Sequence, residues 1–325
     1  MSDPWRSSGM HELDPDAMKR FRSVEGQFLE ITSNLGFQEI RTPTIEPLHL
    51  YTTAGALSPQ LLDRAYSFLD WDGWSGERVV LRPDATVPVA RWFADSGRSE
   101  ARVSYIEPVY RFESSDADRE LWQCGVELFG PNSLEGDPEL FQVAIALLRG
   151  LKVKGLRVEL AHAGLIRAAL TAVGFDPIEQ IAAYSRVLQG GPALMDELSL
   201  ARPEGIGVLR LLADVDGESS GYIANLRTTI LPFVPSAEES LNELENAVRA
   251  LDSLEVDYRV LPATTSNFEY YTGVTFRMIA NDSEIIGGGR YDGLTESVGG
   301  TAAPAAGFAA SLSRLGDLIN DGSKV

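Results

Sequence analysis

The chain has 325 residues, 44% hydrophobic and 23% charged, enough for one large domain or two ordinary ones with a sizeable core. Lys and Arg number 28 against 47 Asp and Glu, a net charge of -19. That balance argues against binding a polyanion over a broad surface, because nucleic-acid affinity comes largely from neutralising phosphates. The single cysteine, Cys124, excludes an internal disulfide and a cysteine-based zinc site.

The N-terminus, MSDPWRSSGMHELD, has no apolar core of a signal peptide, and no stretch reaches the ~20 apolar residues of a membrane span. The expectation is a cytoplasmic protein with neither membrane nor nucleic acid as partner. His11, His49 and His162 are scattered without ligand spacing, so the sequence predicts no metal and no cofactor. Each histidine is expected to be solvated or singly hydrogen-bonded.

Residues 1–13 read as a loose tail. Asp14-Pro15-Asp16 then caps a helix whose apolar face is Met18, Phe21, Val24, Phe28, Ile31 and Leu35, closed by Gly36. Phe37 to Pro43 reads as a short edge strand, residues 53–78 as short elements between turns, and Val79–Leu81 as a β run. Asp84-Ala85-Thr86 is placed to cap the helix that follows. The strongest hairpin signal runs from Ala101 to Gly130, two long strands joined by the acidic loop Glu113–Asp118. Asp137-Pro138 caps an apolar helix, Leu140 to Leu151, followed by a strand (Leu156 to Leu160) and a helix (Leu165 to Val173).

Residues of about 176–250 read as a helical insertion ending in a helix opened by a capping box, Ser236 with Glu239. Tyr270 to Ile279 and Glu284 to Ile286 read as strands, then Gly287-Gly288-Gly289, with Arg290-Tyr291-Asp292 opening a helix. Three glycines leave a bare floor that a ligand can approach, with Tyr271, Tyr291 and Arg290 beside it. Gly307 to Leu318 reads as the last helix. No repeat or linker divides the chain, so residues 1–325 are expected to form one core domain. Hairpin strands with helices between them predict an α+β fold, an antiparallel sheet flanked by helices. The glycine run fits neither dinucleotide nor P-loop spacing.

Several side chains are placed to hold a small zwitterion. Arg111, on the first hairpin strand, suits a carboxylate. Gln123 and Glu127 share one face of the return strand. Asp84 and Thr86 stand where a strand ends, and Glu127 or Asp84 suits an ammonium or an imidazole N–H. Taken singly, Arg111 and Glu127 read more readily as a cross-strand pair and the tyrosines as sheet packing. Polar groups on a sheet face that also needs a core border ligand sites. The loop from Glu113 to Asp118 carries three acids and no base, so phosphate chemistry there is disfavoured.

Together these segments resemble the core of a histidyl-tRNA synthetase, a class II aminoacyl-tRNA synthetase. GFQEIRTPTIEP looks like the first class motif and LRPDATVPVAR like the amino-acid-binding turn. YIEPVYRF with RELWQCGVE looks like the second motif, and PAAGFAASLSRL like the third. FEYYTGVTF and GGGRYDGL resemble the two histidine signatures. Ser266 stands where the family has an activating arginine, Asp116-Ala117-Asp118 where its second-motif loop carries another, and Ser313 where an acid precedes Arg314. With the chain ending at Val325, no anticodon-binding domain is expected.

That combination resembles the regulatory subunits of short-form ATP phosphoribosyltransferase, the first enzyme of histidine biosynthesis. The resemblance implies no catalytic activity, a dimeric core, a hetero-octamer with the catalytic subunit, and feedback inhibition by histidine. It implies a histidine site of Asp84, Thr86, Arg111, Gln123, Glu127, Tyr270, Tyr271 and Tyr291. The competing reading is an adenylate-forming ligase, carried by Arg111 and Arg314. A tRNA-binding synthetase fragment is weaker, given the charge.

Overall fold

The structure, a computed structural model, describes residues 5–53, 62–71, 73–113, 117–130, 133–177, 179–184, 206–214, 216–262 and 271–321. They fall into two compact units. The first comprises Met1–Ser133, Gln142–Lys154 and Asp292–Val325, and the second Leu134–Phe141 and Gly155–Tyr291.

In the first unit the opening helix, Pro15–Asn34, starts where the sequence places it. The Asp14 carboxylate accepts from the amides of Asp16 and Ala17, which satisfies two of the helix's orphan donors. Gly36, at φ 80°, turns the chain in a conformation that disfavours a side chain. The strands β1 (Gln38–Glu39), β5 (Ala101–Tyr110), β6 (Glu120–Phe129) and β11 (Ala305–Ser311) follow one another across a sheet. β5 and β6 pair antiparallel over their full length, as the hairpin signal predicts, and β6 pairs antiparallel with β11. β2 (Ile45–Pro47), β4 (Gly76–Leu81) and β3 (Ser67–Trp71) make a separate small sheet.

The second unit has its own run of strands: β10 (Ser283–Arg290), β9 (Val274–Ala280), β7 (Arg157–His162) and β8 (Tyr258–Val260). The helices Ala163–Ala172, Ile206–Asp214, Ser220–Ile230 and Glu238–Ser253 bury a common apolar cluster that includes Leu165, Leu209, Leu226, Ile230 and Leu241. Burying these stripes is what stabilises helices of this length.

The α+β class is borne out, with one refinement. The sheet is mixed, because β1 joins β5 and β8 joins β7 in parallel, each at an edge. Several element boundaries differ from expectation. Gly287 to Gly289 lie inside β10, paired with Arg277, Phe276 and Thr275, so they are strand glycines and not a turn. Arg290 closes that strand, and the next helix is the short Leu294–Ser297. Residues 307–311 are strand, and the last helix begins at Leu312. The helix placed at Leu140 starts at Ser133 and carries Pro138 within it, while Glu238–Ser253 opens at Ala237 with no side-chain cap, so the capping box is not made. Tyr270 and Ser266 lie outside the described residues.

Candidate functional site

Register decides which side chains of the first unit share a face. Tyr105 stands opposite Gly125, Glu107 opposite Gln123, and Val103 opposite Glu127. β11 extends the rows with Gly307 beside Glu127, Ala309 beside Gly125 and Ser311 beside Gln123. Directly paired residues point to one side of a sheet. One face therefore carries Tyr105, Glu107, Gln123 and Glu127 around a strip of glycine and alanine. The helix Thr86–Ser96 covers this face, its Phe93 stacked on Phe129 with ring centroids 4.6 Å apart.

The glycines have work here. A Cβ at Gly125 would collide with the Tyr105 hydroxyl, and one at Gly307 with the Glu127 carboxylate. The strip is thus a trough whose polar side chains lie down over missing side chains. Thr86, at the start of the covering helix, donates its hydroxyl proton to Glu127 Oε1 at 2.8 Å. Two residues earlier Asp84 caps that helix, its carboxylate accepting from the Val87 amide at 3.0 Å. Arg111 donates from Nε to the Pro83 carbonyl at 2.8 Å, which brings its charge beside Asp84.

Electrostatics follow from this packing. Burial pushes the Glu127 carboxyl well above the ordinary carboxylate range. The Thr86 hydrogen bond opposes the shift, and the charge of Asp84 adds to it. Burial also raises Asp84, opposed chiefly by Arg111. For Arg111 burial lowers the pKa and Asp84 counters. Cys124, on the opposite face, has its thiol pushed up to about 12 by burial, which makes it unreactive.

Of the residues singled out from sequence, Asp84, Thr86, Arg111 and Glu127 are brought into one interacting group. Gln123 joins them by register. Tyr271 and Tyr291 belong to the second unit. There the Tyr271 ring lies where a Cβ on Gly289 would sit, and Tyr291 is buried. The glycine run therefore does leave room beside backbone, though for a tyrosine of its own unit.

Sequence reasoning missed four groups. Arg82 and Glu107 form a buried ion pair at 2.9 Å, and Glu107 also accepts from the Thr42 amide and, at 2.8 Å, from its hydroxyl. A lone charge inside each of the runs VVLRP and SYIEPVY was the available signal. Tyr105 lies in the same strand run SYIEPVY, which carries no separate signal for it. In the second unit His162 is buried and doubly bonded, its Nε2 2.8 Å from Glu243 and its Nδ1 accepting from the Leu165 amide, contrary to the solvated or singly bonded expectation. Beside it Arg290 pairs with Asp137 at 2.7 Å, so Asp137 is an ion-pair partner and not a helix cap. Among the described residues no group of three His, Cys, Asp or Glu is arranged to hold a metal ion. Within the same residues no helix is long and apolar enough to cross a membrane.

This fold is shared with solved synthetases. A Bacillus halodurans structure titled ATP phosphoribosyltransferase regulatory subunit/histidyl-tRNA synthetase superposes with a TM-score of 0.85 at 24% identity, covering 98% of this chain and 84% of the other. An apo S. aureus histidyl-tRNA synthetase gives 0.68 at 21% identity, covering 98% and 75%. Residues 9–315 match the sequence model of the histidyl-tRNA synthetase family, and the chain belongs to that family. Within it, an ATP phosphoribosyltransferase regulatory subunit of Dehalococcoides mccartyi is 42% identical over 318 residues, 97% of this chain and 77% of that protein. A histidine–tRNA ligase of Limosilactobacillus fermentum is 30% identical over 336 residues, 97% of this chain and 74% of that one.

Proposed function

We propose that this chain is the non-catalytic regulatory subunit of an ATP phosphoribosyltransferase, needed for the activity of a separate catalytic subunit and conveying feedback inhibition by histidine. One observation carries the reading: over nearly the whole chain, identity is 42% to a protein named as that subunit and 30% to a ligase of the same family. The chemistry agrees. The trough offers an arginine for a carboxylate and two carboxyl groups with a threonine for nitrogen donors, while Ser266 and Asp116-Ala117-Asp118 supply no cation for phosphate. An inhibitor site needs only to bind, so groups that stabilise a phosphoryl transition state are dispensable. Asp84, Thr86, Arg111, Gln123 and Glu127 would hold the ligand. A cytoplasmic hetero-oligomer is the setting this role requires.

Regulation then needs histidine to favour one state of the assembly. A coupling of ~1–3 kcal/mol changes activity several-fold to about a hundredfold. Calorimetric titration with millimolar L-histidine should give heat without ATP, and the chain should copurify with a phosphoribosyltransferase that lacks a regulatory domain. Arg111→Ala should weaken histidine binding at least tenfold and abolish inhibition while assembly persists. Amino-acid-dependent ATP–pyrophosphate exchange by the purified chain would instead establish the ligase reading.

A further inference from the structure

The opening segment of the chain, Arg6 to Glu12, is bound to the open end of the β5–β6 hairpin. The contact is backbone on backbone: the Gly9 carbonyl accepts from the Arg119 amide at 2.8 Å. Gly9 is buried at φ 69°, and a Cβ there would collide with the Ala117 carbonyl and the Arg119 side chain. Only glycine lets the two stretches come this close. The Met10 amide donates to the Ser7 carbonyl, Arg6 pairs with Glu12 at 2.7 Å, and His11 lies 3.6 Å from Asp118. Just beyond, Asp14 caps the opening helix, whose Phe21, Val24 and Phe28 are buried, so one end of the segment is anchored.

Arg119 passes this restraint inward. Its carbonyl accepts from the Arg111 amide at 2.9 Å, so Gly9, Arg119 and Arg111 form one main-chain row. Arg111 directly follows the last residue of β5, and Arg119 directly precedes β6. Strand ends of this kind open locally unless something holds them. The Arg119 guanidinium donates to the Glu113 carbonyl and stands 4.5 Å over the Phe112 ring. Both ends of the acidic loop are thus gathered beside the segment.

We propose that residues 6–12 are a strap that closes the open end of the hairpin and, through Arg119, keeps Arg111 set for its ligand. The inference rests on the amino-acid-binding reading above, and it makes Gly9 and Arg119 positioning residues. A site that is competent for only about a tenth of the time binds about tenfold more weakly. Lifting the strap therefore lowers affinity without removing any group that touches the ligand. It is a control point on the surface of the unit, separate from the trough.

Gly9→Val in the full chain lifts the strap and leaves Asp84, Thr86, Arg111 and Glu127 unaltered. Hydrogen exchange without ligand should show the Arg111 and Arg119 amides opening about tenfold faster than in wild type, with the opening helix unchanged. Calorimetry should show L-histidine bound about tenfold more weakly. Gly9→Ala, with a smaller side chain, should give an intermediate result and replaces the valine variant if that one fails to fold. Unchanged exchange at Arg111 and Arg119 overturns the proposal, whatever happens to binding. Faster exchange with wild-type affinity also overturns it, because the segment then serves the loop alone. If wild type binds no histidine, the proposed function fails on its own, and exchange at Arg111 still decides whether the segment is a strap.

Discussion

Glu107 and Glu127 lie on the same face of one hairpin, both fully buried, and they are handled in opposite ways. Glu107 is knotted. Arg82 pairs with it and also donates to the carbonyls of Thr42, Pro43 and Pro108, while Thr42 supplies an amide and a hydroxyl. Glu127 accepts from the Thr86 hydroxyl and has the Tyr105 hydroxyl and the Asp84 carboxylate beside it. A buried charge whose partners are all protein groups holds strands together. A buried acid set among hydroxyls and beside another acid has its charged form disfavoured. The knot joins the turn at Thr42, the start of the Arg82 loop and β5, so it fixes the frame in which the trough sits.

The largest effect should come from cutting the knot. Glu107→Ala strands a buried guanidinium, and removing one partner of such a pair costs ~3–5 kcal/mol. Denaturant unfolding should show that loss, and a loss below ~1 kcal/mol would erase the contrast between the two acids. Next is Glu127→Gln, where the sign is opposite. The folded pKa of Glu127 is raised, so its contribution is fully present below the unfolded value of ~4.3 and fades as pH rises through the folded value. At pH 8 the glutamine variant should unfold at least as late as wild type, and the advantage should shrink towards pH 4. Histidine affinity should nonetheless fall about tenfold or more. A variant less stable than wild type at pH 8 would place Glu127 with Glu107 as a structural group. The smallest expected change is Thr86→Val, which removes one hydrogen bond to Glu127 and should cost about 1 kcal/mol by thermal unfolding.

What could be read beforehand follows the strength of local signals. The β5–β6 hairpin was legible because β-branched and aromatic residues fill two long runs around a polar loop, and the opening helix because its cap and apolar spacing agree. β11 was hidden: AAGFAAS has the composition of a helix, and only its place beside β6, over Gly125 and Glu127, makes it a strand. Gly287 to Gly289 misled in the other direction, because glycine signals a turn locally, whereas here it makes room for Tyr271 inside a ladder. Asp84, Thr86, Arg111 and Glu127 came through resemblance and geometry together. Arg82, Tyr105 and the His162–Glu243 pair did not, because burial and pairing are properties of the folded state.

The two glycines under the trough give it an unusual genetic fragility. The room that Tyr105 and Glu127 occupy is set by atoms that are absent from two adjacent strands. A glycine codon becomes an alanine codon through one base substitution, and alanine at position 125 or 307 would place a methyl group against Tyr105 or Glu127. One mutational step could thus displace the Tyr105 ring or the Glu127 carboxylate while every polar residue stayed in place. In comparing members of the family, the empty positions are as informative as the charged ones.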